Sequence, residues 1–227
     1  MTDTLDLSAA DGHSFPVYQA LPTGAPKGVV LVLQEIFGVN AHIRAVADGY
    51  AEHGYVALAL ATFARVQAGV ELGYSEADIA TGVKLKAAIE ALPAPGVLQD
   101  VQACVDHAHS VYGGLKVAVL GYCWGGLLSW RAACTLTGVS AAIAYYGGGM
   151  TTPTEAGRTP RCPVLAHFGE QDHAIALDGV HAFTQTQPSV QVCLYPAGHG
   201  FNCDQRSAFD ATAATLARTR TLAFLEQ

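Results

Sequence analysis

The chain carries little charge, and what it has is not gathered anywhere. Charged residues are 14% of 227 positions, and 12 lysines and arginines against 19 aspartates and glutamates give a net charge of −7. Without a basic cluster the sequence offers no footprint for nucleic acid or for an anionic membrane surface. No apolar run exceeds strand length, so no segment reads as a membrane span. The opening stretch Met1-Thr2-Asp3-Thr4-Leu5-Asp6 lacks the positive flank and apolar core of a secretory leader, and the expected location is the cytoplasm.

Paired cysteines are missing too. The 6 cysteines, at 104, 123, 134, 162, 193 and 203, stand singly, with no CxxC pair and no histidine at zinc-ligand spacing. Neither a metal nor a cofactor is expected. In a reducing compartment Cys104, Cys134, Cys162 and Cys193 read as small buried hydrophobes. Cys203 is less settled, and Cys123 stands apart for the reason given below.

What the sequence does have is apolar residues, 51% of the total. They suffice for a large core, and the length suits a single domain over residues 1–227. Two extended runs, 4–7 and 15–19, flank the turn dipeptide Asp11-Gly12 and read as a hairpin. Continuous apolar runs at 28–34, 55–60, 116–120, 141–146, 163–168 and 190–195 suit strands covered on both faces. Helical stretches are expected at 41–53 behind an Asn40 cap, 76–92, 97–112, 125–136, 177–187 and 207–225. Strands alternating with helices in this way imply an α/β fold with a mainly parallel twisted sheet covered by helices on both faces.

The stretch Gly121-Tyr122-Cys123-Trp124-Gly125 follows one of the apolar runs directly. It has the form Gly-x-nucleophile-x-Gly, in which a strand reverses sharply into a helix and only glycine fits on either side. A thiol does acyl-transfer chemistry as a thiolate, so it needs a nearby base, and that base needs an orienting partner. The chain order nucleophile, acid, histidine is met by Cys123, Asp172 in Gly169-Glu170-Gln171-Asp172-His173, and His199 in Gly198-His199-Gly200-Phe201. All three fall just past the carboxyl ends of expected strands, where parallel sheets build their sites. Taken singly, a loop aspartate is ordinarily a turn residue and a loop histidine ordinarily solvated. His167 and His173 read as structural or solvent-facing.

These motifs, with Gln34-Glu35-Ile36-Phe37-Gly38 and Tyr145-Tyr146-Gly147, give residues 15 to 225 a resemblance to the dienelactone hydrolase (carboxymethylenebutenolidase) family of the α/β-hydrolase fold. The resemblance implies a cysteine-dependent hydrolase of small esters or enol lactones. Cys123 would attack the carbonyl, His199 would serve as base and Asp172 would fix its tautomer. Backbone N–H groups of Ile36 and Trp124 would form the oxyanion hole. Glu35 would sit beside a neutral resting thiol and help take its proton when substrate arrives. Phe37 and Tyr145, with Trp124 and Tyr146, are aromatic enough to wall a small apolar pocket, core packing being the alternative.

The sequence departs from the chlorocatechol-pathway members, which hold a substrate carboxylate with two arginines. Residues 66–92, where one would lie, contain only Lys84 and Lys86, and four residues beyond His199 stands Cys203. Arg65 and Arg206 are the remaining candidates for that contact. Two other readings stay open: a general carboxylesterase of neutral esters, and a non-catalytic thiol redox or ligand-binding protein on the same scaffold. A small-molecule partner and a monomer are expected, with a dimer left open.

Overall fold

In the computed structural model, which describes residues 2–227, the chain opens with an antiparallel hairpin of β1 (Thr2–Ser8) and β2 (Ser14–Ala20). Gly12 makes the turn at φ +84°, a conformation that side-chain-bearing residues avoid. β3 (Gly28–Leu33) and β4 (Tyr55–Leu60) follow, joined by helix α1 (Ala41–Glu52). Asn40 caps that helix by accepting from the Ile43 N–H, as expected of its type, and Gly54 lies just past its end at φ +93°.

α2 (Glu76–Glu90) begins in a capping box formed by Ser75 and Asp78. α3 (Leu98–Val111) leads into β5 (Val117–Tyr122), the strand that carries the nucleophile turn. α4 (Trp124–Thr135), β6 (Ala141–Tyr145), the short α5 (Pro153–Ala156), β7 (Val164–Gly169), α6 (Leu177–Thr186), β8 (Gln191–Tyr195) and α7 (Ala211–Leu225) complete the order.

The strands form one eight-stranded sheet in the order β1-β2-β4-β3-β5-β6-β7-β8. β1, β2 and β4 pair antiparallel, and every pair from β4 through β3 to β8 is parallel. This is the arrangement of an α/β-hydrolase fold. Every residue of β3, β4, β5 and β7 is buried, which explains why these strands read as unbroken apolar runs rather than alternating ones. Among the described residues no helix is long and apolar enough to cross a membrane.

The start of the last helix and the burial of two cysteines differ from expectation. The last helix starts at Ala211 rather than 207, because residues 200–209 close successive turns, Cys203 N–H to Gly200, Arg206 to Cys203 and Phe209 to Arg206. Asp210 then caps α7 by accepting from Ala213 N–H at 2.8 Å. Those turns hold Cys203 and Arg206 against the carboxyl end of the sheet. Of the cysteines read as buried hydrophobes, Cys104 and Cys134 are buried, whereas Cys162 and Cys193 are half-buried.

Candidate active site

Cys123 sits between β5 and α4 with φ 53° and ψ −116°, backbone angles that a residue with a side chain adopts only when its surroundings force it. The neighbours supply the force. A Cβ on Gly121 would overlap the carbonyl oxygen of Gly125, and one on Gly125 would overlap that of Leu33 in β3. The turn is clamped further by the Cys123 N–H donating to Tyr145 O at 2.9 Å. The outcome is a half-buried sulfur at the carboxyl end of the central strands.

Loops after β7 and β8 bring the other two members to it. His199 Nε2 lies 3.0 Å from Cys123 Sγ, and His199 Nδ1 lies 2.7 Å from Asp172 Oδ2. Asp172 is buried, and its other oxygen accepts from the Ala174 and Ile175 N–H groups at 2.7 and 3.1 Å. Those bonds lock the carboxylate's direction. Burial alone pushes the imidazole pKa down, but the Cys123 sulfur and the Asp172 carboxylate outweigh it and raise His199 to about 10. Both partners favour the protonated ring.

Trp124 is the first residue of α4, so its N–H has no acceptor within the helix. Its indole is not at the site's surface: it is buried, stacks on Phe63 at 5.2 Å and donates from Nε1 to Glu90 Oε1 at 2.7 Å. Ile36, the second backbone position, is held by two close approaches that the sequence did not announce. A Cβ on Gly82 of α2 would overlap the Ile36 carbonyl oxygen, and one on Gly38 would overlap that of Val70. The loop carrying Ile36 is thus wedged between α2 and the 70–72 segment.

Glu35 is buried, and it faces Arg206 rather than the thiol. Arg206 Nη1 lies 3.1 Å from Glu35 Oε1, and among the described residues no hydrogen bond joins Glu35 to Cys123. The reason is electrostatic: a guanidinium is a stronger partner for a buried carboxylate than a neutral thiol is. Arg206 also lies 5.7 Å from the Phe37 ring centre and 6.0 Å from that of Tyr74. Gly200 leaves the room, since a Cβ there would meet Arg206 Nη1 at 2.5 Å.

Two expected pocket residues are placed elsewhere. Arg65 is spent on a structural ion pair, donating to Asp100 at 2.7 and 2.8 Å and to Asp11 at 2.7 Å. The buried Asp100 carboxylate claims it, because an unpaired charge there would be costly. Tyr145 is core: it is fully buried, its hydroxyl is 2.7 Å from Thr221 Oγ1, and its ring packs on Tyr122 and His167. The aromatic that does meet the row of functional groups is the next residue, Tyr146, whose ring lies edge-on to His199 at 5.1 Å. Tyr146 takes φ 37° just past β6, and this backbone reversal separates the two tyrosines. His167 is buried between Tyr195 and Thr221, and His173 is exposed.

The dienelactone hydrolase family model matches residues 15–227. The chain belongs to this family. A carboxymethylenebutenolidase of Pseudomonas putida is 33% identical over 231 residues, covering 99% of this chain and 96% of that protein. Among solved structures, a Klebsiella pneumoniae protein assigned as a dienelactone hydrolase superposes with a TM-score of 0.84 at 28% identity, over 100% of this chain and 99% of the other. A dienelactone hydrolase-like promiscuous phosphotriesterase from metagenomic libraries shares the fold, with a TM-score of 0.78 at 21% identity, over 99% and 97% of the two chains. As a dienelactone hydrolase family member the chain is a hydrolase.

Proposed function

We propose that this dienelactone hydrolase family member is a cysteine-dependent hydrolase of small carboxylic esters and lactones, working through an acyl-enzyme. The observation that carries the reading is the unbroken contact row from Asp172 through both ring nitrogens of His199 to Cys123 Sγ. Base and nucleophile are within proton-transfer distance, and the base is oriented by a carboxylate that is itself locked.

Each step has a residue. With the proton on His199, the sulfur attacks the carbonyl carbon, and the resulting oxyanion is met by the Trp124 and Ile36 N–H groups. The imidazolium then returns its proton to the departing alkoxide or enolate, leaving a thioester on Cys123. Neutral His199 next takes a proton from water, which attacks the thioester carbonyl, and collapse of that second intermediate frees the acid and restores the sulfur. Glu35 assists by holding Arg206 in place beside the row. Arg206, lying over the buried Phe37 ring, forms the wall that the substrate meets.

One observation favours a broader substrate range than a dienelactone specialist. Arg65 is committed to Asp11 and Asp100, so Arg206 is the arginine left at the site, and its charge is already matched by Glu35. A single compensated guanidinium suits neutral or singly charged esters, and the general carboxylesterase reading rests on this. Hydrolysis of p-nitrophenyl acetate and of an enol lactone by the wild type and Cys123→Ala tests the proposal. Loss of both activities is expected, and undiminished turnover by the variant would refute it.

A further inference from the structure

Three potential metal ligands from separate parts of the chain converge beside the catalytic row. Glu35 follows β3, His42 lies in α1 and Cys203 lies in the turns after His199; all are buried, and one ligand atom from each lies within 4.8 Å of the other two. Two of these residues carry an unpartnered atom. Glu35 Oε1 is engaged by Arg206 while Oε2 has no hydrogen bond, and His42 Nδ1 faces Asp204 Oδ1 at 3.4 Å while Nε2 has none.

The residues carrying these atoms, Glu35 and His42, are 1% and 4% exposed, and unpaired acceptors so deeply placed are costly. With its hydrogen on Nδ1, the nitrogen near Asp204, His42 would keep the Nε2 lone pair free for a ligand. The Cys203 thiol also meets the Tyr74 hydroxyl, and its one proton cannot satisfy both acceptors. A divalent cation satisfies both and the sulfur as well.

We propose that Glu35, His42 and Cys203 form a binding site for Zn²⁺ or a similarly thiophilic divalent cation. The donor set of carboxylate, imidazole and thiolate selects against magnesium and calcium, which take oxygen ligands. Asp204 supplies the outer carboxylate that orients a ligating histidine. Zinc bonds of about 2.0 Å to nitrogen or oxygen and about 2.3 Å to sulfur put tetrahedral ligands roughly 3.3–3.6 Å apart, so ligand atoms now up to 4.8 Å apart close by up to about 1.5 Å on binding. Binding exchanges the Cys203 thiol proton for the metal and releases it to solvent, leaving one coordination position open. The sequence hides the site because its ligands stand at 35, 42 and 203, outside any short zinc spacing.

The test is titration of Cys123→Ala protein with Co²⁺, so that Cys123 and His199 together offer no thiolate site. A stoichiometric thiolate-to-cobalt charge-transfer band is expected, competed away by Zn²⁺. It should vanish in the added Cys203→Ser and His42→Gln variants, while Asp204→Asn weakens binding about 10- to 100-fold. Absence of the band, or its survival in either ligand variant, would overturn the proposal and assign a bridging water to the two acceptors. Far-ultraviolet circular dichroism checks each variant's folding, and should one not fold, the other ligand variant decides. The readout needs no turnover, so its failure and that of the hydrolase reading are separable.

Discussion

Gly82 of α2 lies so close to Ile36 that a single added methyl group would come within 2.1 Å of the Ile36 carbonyl oxygen. That carbonyl belongs to the peptide joining Ile36 to Phe37, so the position of the Ile36 backbone, and with it where the preceding N–H can sit, depends on a glycine 46 positions away in sequence.

Gly82→Ala should lower kcat on p-nitrophenyl acetate about 10- to 100-fold, since an oxyanion donor moved by about 1 Å loses most of its value. KM should change much less, because the donor acts mainly in the transition state. Alanine is the better helix former, so instability of α2 is not the expected cause. Steady-state kinetics with a thermal melt alongside checks this, and an unchanged kcat would remove Ile36 from the oxyanion hole.

Arg65→Met separates structure from recognition. The substitution leaves the buried Asp100 carboxylate without its partner and should cost about 3–5 kcal/mol in urea unfolding. KM for an enol lactone carrying a carboxylate should stay unchanged under folding conditions. A rise in KM with full stability would return Arg65 to the substrate.

The pH dependence follows from His199. Its pKa is raised to about 10 in the folded chain, against about 6.5 for a free imidazole. The stability it contributes is complete below about 6.5 and is lost as pH rises through about 10. Activity should persist to pH 9 and fall with an apparent pKa near 10 as the ring loses the proton destined for the leaving group. Asp172→Asn should move that limb downward. A limb near 6.5 in the wild type, by kinetics or by nitrogen-15 NMR of the ring, would contradict the raised histidine pKa.

His167 acts in the opposite sense. Burial pushes its pKa down to about 3, and the ring stays neutral between Tyr195 and Thr221. Between pH 6.5 and 3 the unfolded chain takes up a proton that the folded chain refuses, so stability falls as pH falls through that window. The slope from this group alone is at most about 1.4 kcal/mol per pH unit. His167→Gln should flatten the decline in urea midpoint between pH 6.5 and 4, and an unaltered slope would show that another group controls acid unfolding.

The strand and helix pattern was legible because buried parallel strands such as Val29–Leu33 announce themselves as apolar runs between glycines and caps. Cys123, Asp172 and His199 were legible for a related reason: each follows such a strand, and Gly121 and Gly125 mark the turn. Side-chain direction was not legible. Tyr145 and Tyr146 are adjacent and alike, and only the positive φ of Tyr146 determines which one faces His199. Nor could Arg65 be told from Arg206, because Arg65's choice of partner depends on Asp100, brought beside it by α3. The Glu35, His42 and Cys203 cluster was hidden by the same distance in sequence.

The central claim is that Cys123 is acylated. Rapid quenching of the protein with p-nitrophenyl acetate, followed by proteolysis and mass spectrometry, tests it most directly. The account predicts one acetyl group, as a hydroxylamine-labile thioester, on the peptide carrying Cys123, accumulating in Asp172→Asn and absent from Cys123→Ala. Turnover with no acyl group at Cys123, or an acyl group on another side chain that turns over at the catalytic rate, would contradict it.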